Sequence, residues 1–294
     1  MDTSAAQWSA ALRWVMTQPS MLEGLPGGHR PLLEDGDPRL ERLMADTERA
    51  PEGLTALLAA PRAHKVGISF EALMHWGLER GLGHRVLGRD VQVHADKRTL
   101  GALDAVLQTE SGSIEHWEFA YKLFLQCDGG IEWSSWVGPG ARDRLDTKVN
   151  RMLEHQLPLS ERPEAQAVLR SLGIERIDRR RIVLQGVLFS PWGAPPSRAR
   201  GALEPCAGRW VHVGRIEEVL GAHPQSRWVK RNKPLWFGSW SGDPMAWLPP
   251  DAVRQALRAD PVHRAQLWSA RLAPDSDAEV LVFAVPDGWG QSER

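Results

Sequence analysis

Cysteine, tyrosine and lysine are scarce in this chain, and long apolar runs are missing. Only Cys127 and Cys206 occur among 294 residues, with no metal-ligand spacing around either, which excludes a disulfide framework and a zinc ribbon. No apolar stretch approaches the ~18 residues of a bilayer span, so a helical integral membrane protein is excluded and no membrane partner is expected. The opening MDTSAAQWSAALRWVMTQP carries Asp2 and has no uninterrupted apolar stretch. It does not read as a secretory signal, and the expected location is the cytoplasm. Several chemistries also lack their signatures: there is no G-x-G-x-x-G, no P-loop and no H-E-x-x-H, and the run from Gly238 to Gly242 has Trp240 where a nucleophile elbow needs serine.

What is present is an ordinary globular composition, 42% hydrophobic and 25% charged, long enough for one large domain or two modest ones. Tryptophan is abundant, 14 residues against a single Tyr. Of the 36 basic residues six are lysines: Lys65, Lys97, Lys122, Lys148, Lys230 and Lys233. Arginine is planar and permanently charged, whereas lysine offers a compact ammonium of tunable pKa, so each Lys here is a candidate for a site that needs one. The net charge of -1 hides an asymmetry. Residues 176–240 hold twelve basic side chains against four acids, which leaves the remainder at -9. Such a split suits one face to a polyanion. Arg179, Arg180, Arg181, Arg227, Lys230, Arg231 and Lys233 are the candidate nucleic-acid contacts, with Trp192, Trp210, Trp228, Trp236 and Trp240 in or beside them for stacking on bases.

Periodicity orders the chain. Short helices are expected over 5–16, 39–44 and 52–59, forming a helical N-terminal extension over residues 1–62. A helical stripe of Phe70, Leu73, Met74 and Gly77 follows and stops at Gly81 and Gly83. Three strands are expected over 85–94, 99–108 and 114–125, the last two joined by the turn Thr109 to Ser113. A helix over 141–156 and a buried strand over 182–189 complete a core assigned to residues 63–190. Residues 191–294 form a Trp-rich basic region with Trp-containing strands, a helix over 251–259 and a last strand over 279–285.

The turn fixes a register. A loop centred on Ser111 places opposite residues at numbers summing to 222, which sets Asp104 across from Glu118 and lines Leu103, Ala105 and Leu107 against Trp117, Phe119 and Tyr121. A slip by one residue would put Asp104 among the aromatic rings, at high cost for an unpartnered carboxylate. In the favoured register two carboxylates face each other with Cα atoms roughly 5 Å apart, which is unfavourable unless neutralised. Mg²⁺ or Mn²⁺ would neutralise them, taking two carboxylates, waters and a substrate oxygen. Arg or Lys side chains partnering exposed acids would do so equally.

The succession Phe70-Glu71, Thr99 to Asp104, His116 to Lys122, Gly138-Pro139-Gly140, Asp143 to Lys148 and His155-Gln156 resembles the bacterial domain-of-unknown-function family 1853 over nearly the whole chain. The core of that family is similar to the PD-(D/E)XK nucleases. The resemblance implies an α/β fold with a restriction-endonuclease-like core of helix, three strands, helix and strand. It makes Asp104 and Glu118 metal ligands joined by Glu71, and implies hydrolysis of a phosphodiester in DNA or RNA. The nuclease pattern has Lys two residues after the third-strand acid, where this chain has Ala120. Lys122 keeps the same facing about 13 Å along the strand from Glu118, and Lys148 lies one helix away. Both are candidate catalytic ammonium groups. A catalytically silent nuclease fold that binds nucleic acid or a protein partner is the alternative reading.

Overall fold

The computed structural model describes residues 5–59, 65–96, 98–202, 208–274 and 276–290, so Lys97 and Cys206 lie outside the described residues. The chain is a mixed α/β protein whose segments divide into two compact units, each discontinuous in sequence. The first comprises residues 11–121 and 147–185, the second residues 1–10, 122–146 and 186–294. The helices of the N-terminal extension therefore do not stand apart: from Ala11 they share a unit with the three-stranded hairpin system.

The first unit holds α1 (Ala5–Thr17) from Ala11 onward, α2 (Pro38–Arg49), α3 (Glu52–Leu58) and α4 (Val66–Arg80), then β1 (Arg85–Ala95), β2 (Arg98–Gln108) and β3 (Ile114–Gln126) as far as Tyr121. Helix α2 starts where Asp37 accepts the Arg39 amide and Pro38 takes the first helical position, where a missing N–H costs nothing. Helix α4 buries Phe70, Leu73, Met74, His75, Gly77 and Leu78. Gly77 is required there, because a Cβ would overlap Met16 Sδ. The turn forms as expected: the Thr109 amide donates to Ser113 O and the Gly112 amide to Thr109 O, with Gly112 at φ 85°. β2 and β3 pair antiparallel with Gln108 opposite Ile114, Leu107 opposite Glu115, Val106 opposite His116 and Ala105 opposite Trp117.

Both faces of this sheet are covered. On one, Tyr121 meets Phe70 and Phe119 meets His75, each with ring centroids 5.6 Å apart. On the other, Leu159, Ala165 and Leu169 pack with Val93, Leu103 and Val106. That second cover comes from residues 157–171, beyond the helix expected over 141–156, which the sequence did not mark. α5 (Leu145–Arg151) runs into a π-helical turn, Met152–Gln156, a 3₁₀ turn, Leu157–Glu161, and then α6 (Pro163–Ser171). β5 (Arg179–Pro191) follows and lies next to β3, giving the order β1-β2-β3-β5.

The second unit takes the later parts of β3 and β5, the two-residue β4 (Trp136–Val137), and β6 (Gly208–His212), β7 (Arg227–Arg231), β8 (Gln266–Arg271) and β9 (Glu279–Val285). Its order is β5-β6-β9-β8-β7, parallel from β5 to β9 and antiparallel from there. α7 (Ile216–Ala222) and α8 (Pro250–Ala259) pack Val219, Leu220 and Val253 against Trp228, Trp268 and Val282.

Candidate active site

The ladder between β2 and β3 stops at Ala105 and Trp117. The next pair in that register is Asp104 and Glu118, and there side chains replace backbone bonds. The Asp104 amide donates to Glu118 Oε1 at 3.4 Å, and the Phe119 amide donates to Asp104 Oδ2 at 2.8 Å. Each carboxylate thus reaches across to the other strand. The two acids are drawn to one place instead of being splayed apart.

Glu118 has no solvent-accessible surface. Its Oε1 faces His116 Nε2 at 2.8 Å, and its Oε2 accepts from Gln156 Nε2 at 2.7 Å. Gln156 Oε1 in turn accepts from Lys148 Nζ at 3.0 Å, so one amide ties the ammonium to the carboxylate. The π-helical turn makes this possible. In a regular helix, residues eight apart sit roughly 80° out of phase. The wider turn over Met152–Gln156 slows the rotation and brings Gln156 round to the side of Lys148. No periodicity in the sequence pointed to Gln156.

Burial pushes the Asp104 carboxyl up to about 7, and the charge of Glu118 adds to the effect. Burial likewise raises Glu118 to about 7 against the hydrogen bonds and the Lys148 charge that oppose it. Glu71, on α4, keeps an exposed side chain at the rim. Crowding by the surrounding protein, then the charges of Asp104 and Asp90, raise it to about 7, while Lys148 pulls the other way. His75 and His116 are held down at about 4 first by burial, so both rings are neutral at physiological pH. The arrangement concentrates negative charge from three carboxyl groups against one nearby ammonium. It belongs wholly to the first unit.

Lys122 falls in the second unit, where its Nζ pairs with Asp143 Oδ2 at 2.7 Å. Of the two lysines expected from the sequence, Lys148 is the one whose charge acts on the acids.

The profile of Domain of unknown function (DUF1853) matches residues 10–283. The chain belongs to that family. No curated protein and no solved structure matches it significantly.

The basic residues of the DUF1853 chain separate by role. Arg179, Arg227 and Lys233 keep exposed side chains, Lys233 standing 4.6 Å over the Trp236 ring. Lys230 pairs with Asp260 at 2.8 Å. Arg180 bonds Ser160 and Glu161, and Arg181 is clamped between Gly27, where a Cβ would overlap its stem, and the Trp117 ring at 4.6 Å. Arg231 corrects the sequence expectation of a surface contact. It is 5% exposed and donates to Gly238 O, Leu235 O, Phe237 O and Ser269 Oγ, so it organises the loop after β7 from within. The tryptophans do likewise: Trp210, Trp228 and Trp236 are buried with each indole N–H bonded internally, which withdraws them from base stacking.

Whether these residues fit a divalent cation turns on charge and ligand number. A half-buried and a fully buried carboxylate held at one point, each raised by the cost of ionising there, are what a hard cation relieves. Among the described residues no three His, Cys, Asp or Glu side chains form a ready ligand cage. Mg²⁺ ordinarily needs only one or two carboxylates beside water and substrate oxygens, so Asp104 and Glu118 fit it. Among the described residues no helix is long and apolar enough to cross a membrane.

Proposed function

We propose that this DUF1853 protein is a divalent-metal-dependent phosphodiesterase that cleaves DNA or RNA, built on a PD-(D/E)XK-like core. The observation that carries the reading is the meeting of Asp104 and Glu118 at the end of the ladder, tied through Gln156 to Lys148. The element order α4, β1, β2, β3, α5 and β5 supports it, with the two-residue β4 inserted before α5 and α6 added before β5.

Asp104 and Glu118 would hold Mg²⁺ or Mn²⁺, with Glu71 contributing from the rim. Such an ion supplies polarisation of the phosphoryl oxygen and a water of lowered pKa. Lys148 stabilises the negative charge that develops on the phosphate, in the place that Ala120 leaves without an ammonium. Gln156 fixes the separation of Lys148 from Glu118 by bonding both. Exposed Arg179, Arg227 and Lys233 are the basic side chains available for phosphate contacts.

Purified protein with Mn²⁺ or Mg²⁺ is expected to cut single-stranded, duplex or branched DNA or RNA, and chelation or Asp104→Ala should stop it. Binding without cutting, unaffected by Asp104→Ala and Glu118→Ala, would assign the fold to a silent binding module instead.

A further inference from the structure

A polar cleft of about 450 Å³ opens on the other face of the β2–β3 hairpin from Asp104 and Glu118. Strand alternation puts it there, since Glu115 and Trp117 line it and point away from His116 and Glu118 on the same strand. Gly27 and Arg30 from the loop after α1, Leu82 after α4 and Arg181 from β5 also form its wall. All belong to the first unit. The volume falls within the range of small-molecule sites, roughly 300–1,000 Å³.

Arg181 is the unusual member of that wall. A guanidinium carries five N–H donors, yet among the described residues the Arg181 guanidinium donates no hydrogen bond to the protein, and its buried Nε has no partner. Glu115 Oε2 stands 4.0 Å from Nε, but it already accepts the Trp117 indole N–H at 2.8 Å. Packing holds the side chain instead. Its stem lies against Gly27, where a Cβ would come within 2.1 Å of Cγ, and its head lies 4.6 Å over the Trp117 ring. The loop is fastened to β5 in turn, with the Ile182 amide donating to Pro26 O at 2.8 Å. A permanently charged group, 31% exposed, is thus fixed in place with its donors unshared. Arg30 is exposed and makes no ion pair among the described residues.

We infer that this cleft binds a phosphate monoester of a small molecule, with the phosphate on Arg181 and Arg30 and a compact apolar body against Leu82. Two guanidinium groups share the wall with one carboxylate, that of Glu115, which is 4% exposed and committed to Trp117. The balance favours an anion. A carboxylate is satisfied by one guanidinium fork, whereas a monoester brings nearly two negative charges and three acceptor oxygens, enough for both arginines. The site is independent of Asp104, Glu118 and any metal, so it stands whether or not the chain cleaves nucleic acid.

The test is isothermal titration calorimetry on the full chain in EDTA, where no metal can bridge a phosphate to the acidic site. Phenyl phosphate is expected to bind at one site per chain, about 10-fold or more tightly than inorganic phosphate, which lacks the apolar body. Benzoate, with one charge and two oxygens, should bind more weakly than phenyl phosphate. Arg181→Met keeps an unbranched stem against Gly27 and removes the guanidinium, and should raise the phenyl phosphate dissociation constant about 10-fold or more. Arg30→Gln, at an exposed position, should raise it about threefold. Arg170→Gln, which removes an exposed charge on α6 outside the cleft, should leave it within about twofold. No binding of phenyl phosphate by the unmodified protein, tighter binding of benzoate, or an equal loss in Arg170→Gln overturns the inference, as does a constant unchanged in both Arg181→Met and Arg30→Gln. If Arg181→Met does not fold, Arg30→Gln carries the test, and an unchanged constant there overturns it.

Discussion

The backbone N–H of Asp104 points at Glu118 Oε1 from 3.4 Å, at the step where the β2–β3 ladder would otherwise set another backbone pair. Two like charges are thereby held side by side in a place from which water is largely excluded. Metal-free protein bears that cost.

Stability should depend on pH in a defined direction. Folding raises Asp104, Glu118 and Glu71 to about 7, so over the interval from about 4 to about 7 the native state keeps protons that the unfolded chain has lost. Their contribution is most favourable at the acid end and is lost as pH rises through 7. His75 and His116, held down at about 4, act oppositely once the unfolded chain begins to protonate near pH ~6.5. The Tm of metal-free protein should rise as pH is lowered from 8.5 to 6.5, a gain on the order of 1 kcal/mol, and change less steeply below, where the histidines oppose the carboxyls. A Tm that falls over that interval contradicts this.

Asp104→Asn should stabilise the metal-free protein at pH 8 by about 1 kcal/mol, because the amide oxygen can still accept the Phe119 N–H without repelling Glu118. The same change should flatten the pH dependence and remove any rise in Tm on adding Mn²⁺. Thermal denaturation with and without Mn²⁺ measures both, and a destabilised variant would show that the paired charges are not in conflict.

The two lysines should separate in a single-turnover cleavage assay. Lys148→Met is expected to slow cleavage about 100-fold, on the scale of losing one charge-stabilising donor. Lys122→Met removes a partly exposed ion pair with Asp143, of the kind that contributes at most about 1 kcal/mol to stability. Cleavage should stay within about threefold. The reverse ranking would return the catalytic ammonium to β3.

Arg231→Ala should cost about 3 kcal/mol or more, since it strips a charge-assisted donor from four acceptors at once. Arg227→Ala, at an exposed position, should stay within about 0.5 kcal/mol. Urea denaturation of both variants checks the contrast. Equal effects would mean that the loop after β7 is not organised by Arg231.

The sequence made the hairpin legible because its signals were local. A five-residue turn with Gly112 and strict alternation left one register that buries Trp117 and Phe119, and pairing from Gln108 to Ala105 follows it. The last strand, Glu279–Val285, was likewise a plain apolar run. What covers Asp104 and Glu118 was harder to read. α6 is a nine-residue helix with only Ala165 and Leu169 fully turned inward, too weak a stripe to announce that the acid-bearing face of the sheet would be buried. Gln156 depends on a change of helical pitch that no residue type marks. Nor does composition separate a buried guanidinium such as Arg231 from a surface one. The difference lies in three carbonyls and a hydroxyl brought together by the fold.

The most direct measurement is a titration of metal-free protein with Mn²⁺ followed by electron paramagnetic resonance, beside the Asp104→Asn/Glu118→Gln double variant. The unmodified chain should remove Mn²⁺ from the free signal at a saturable site, and the double variant should leave the signal untouched. Undiminished binding by the double variant, or none by the unmodified chain, would contradict this.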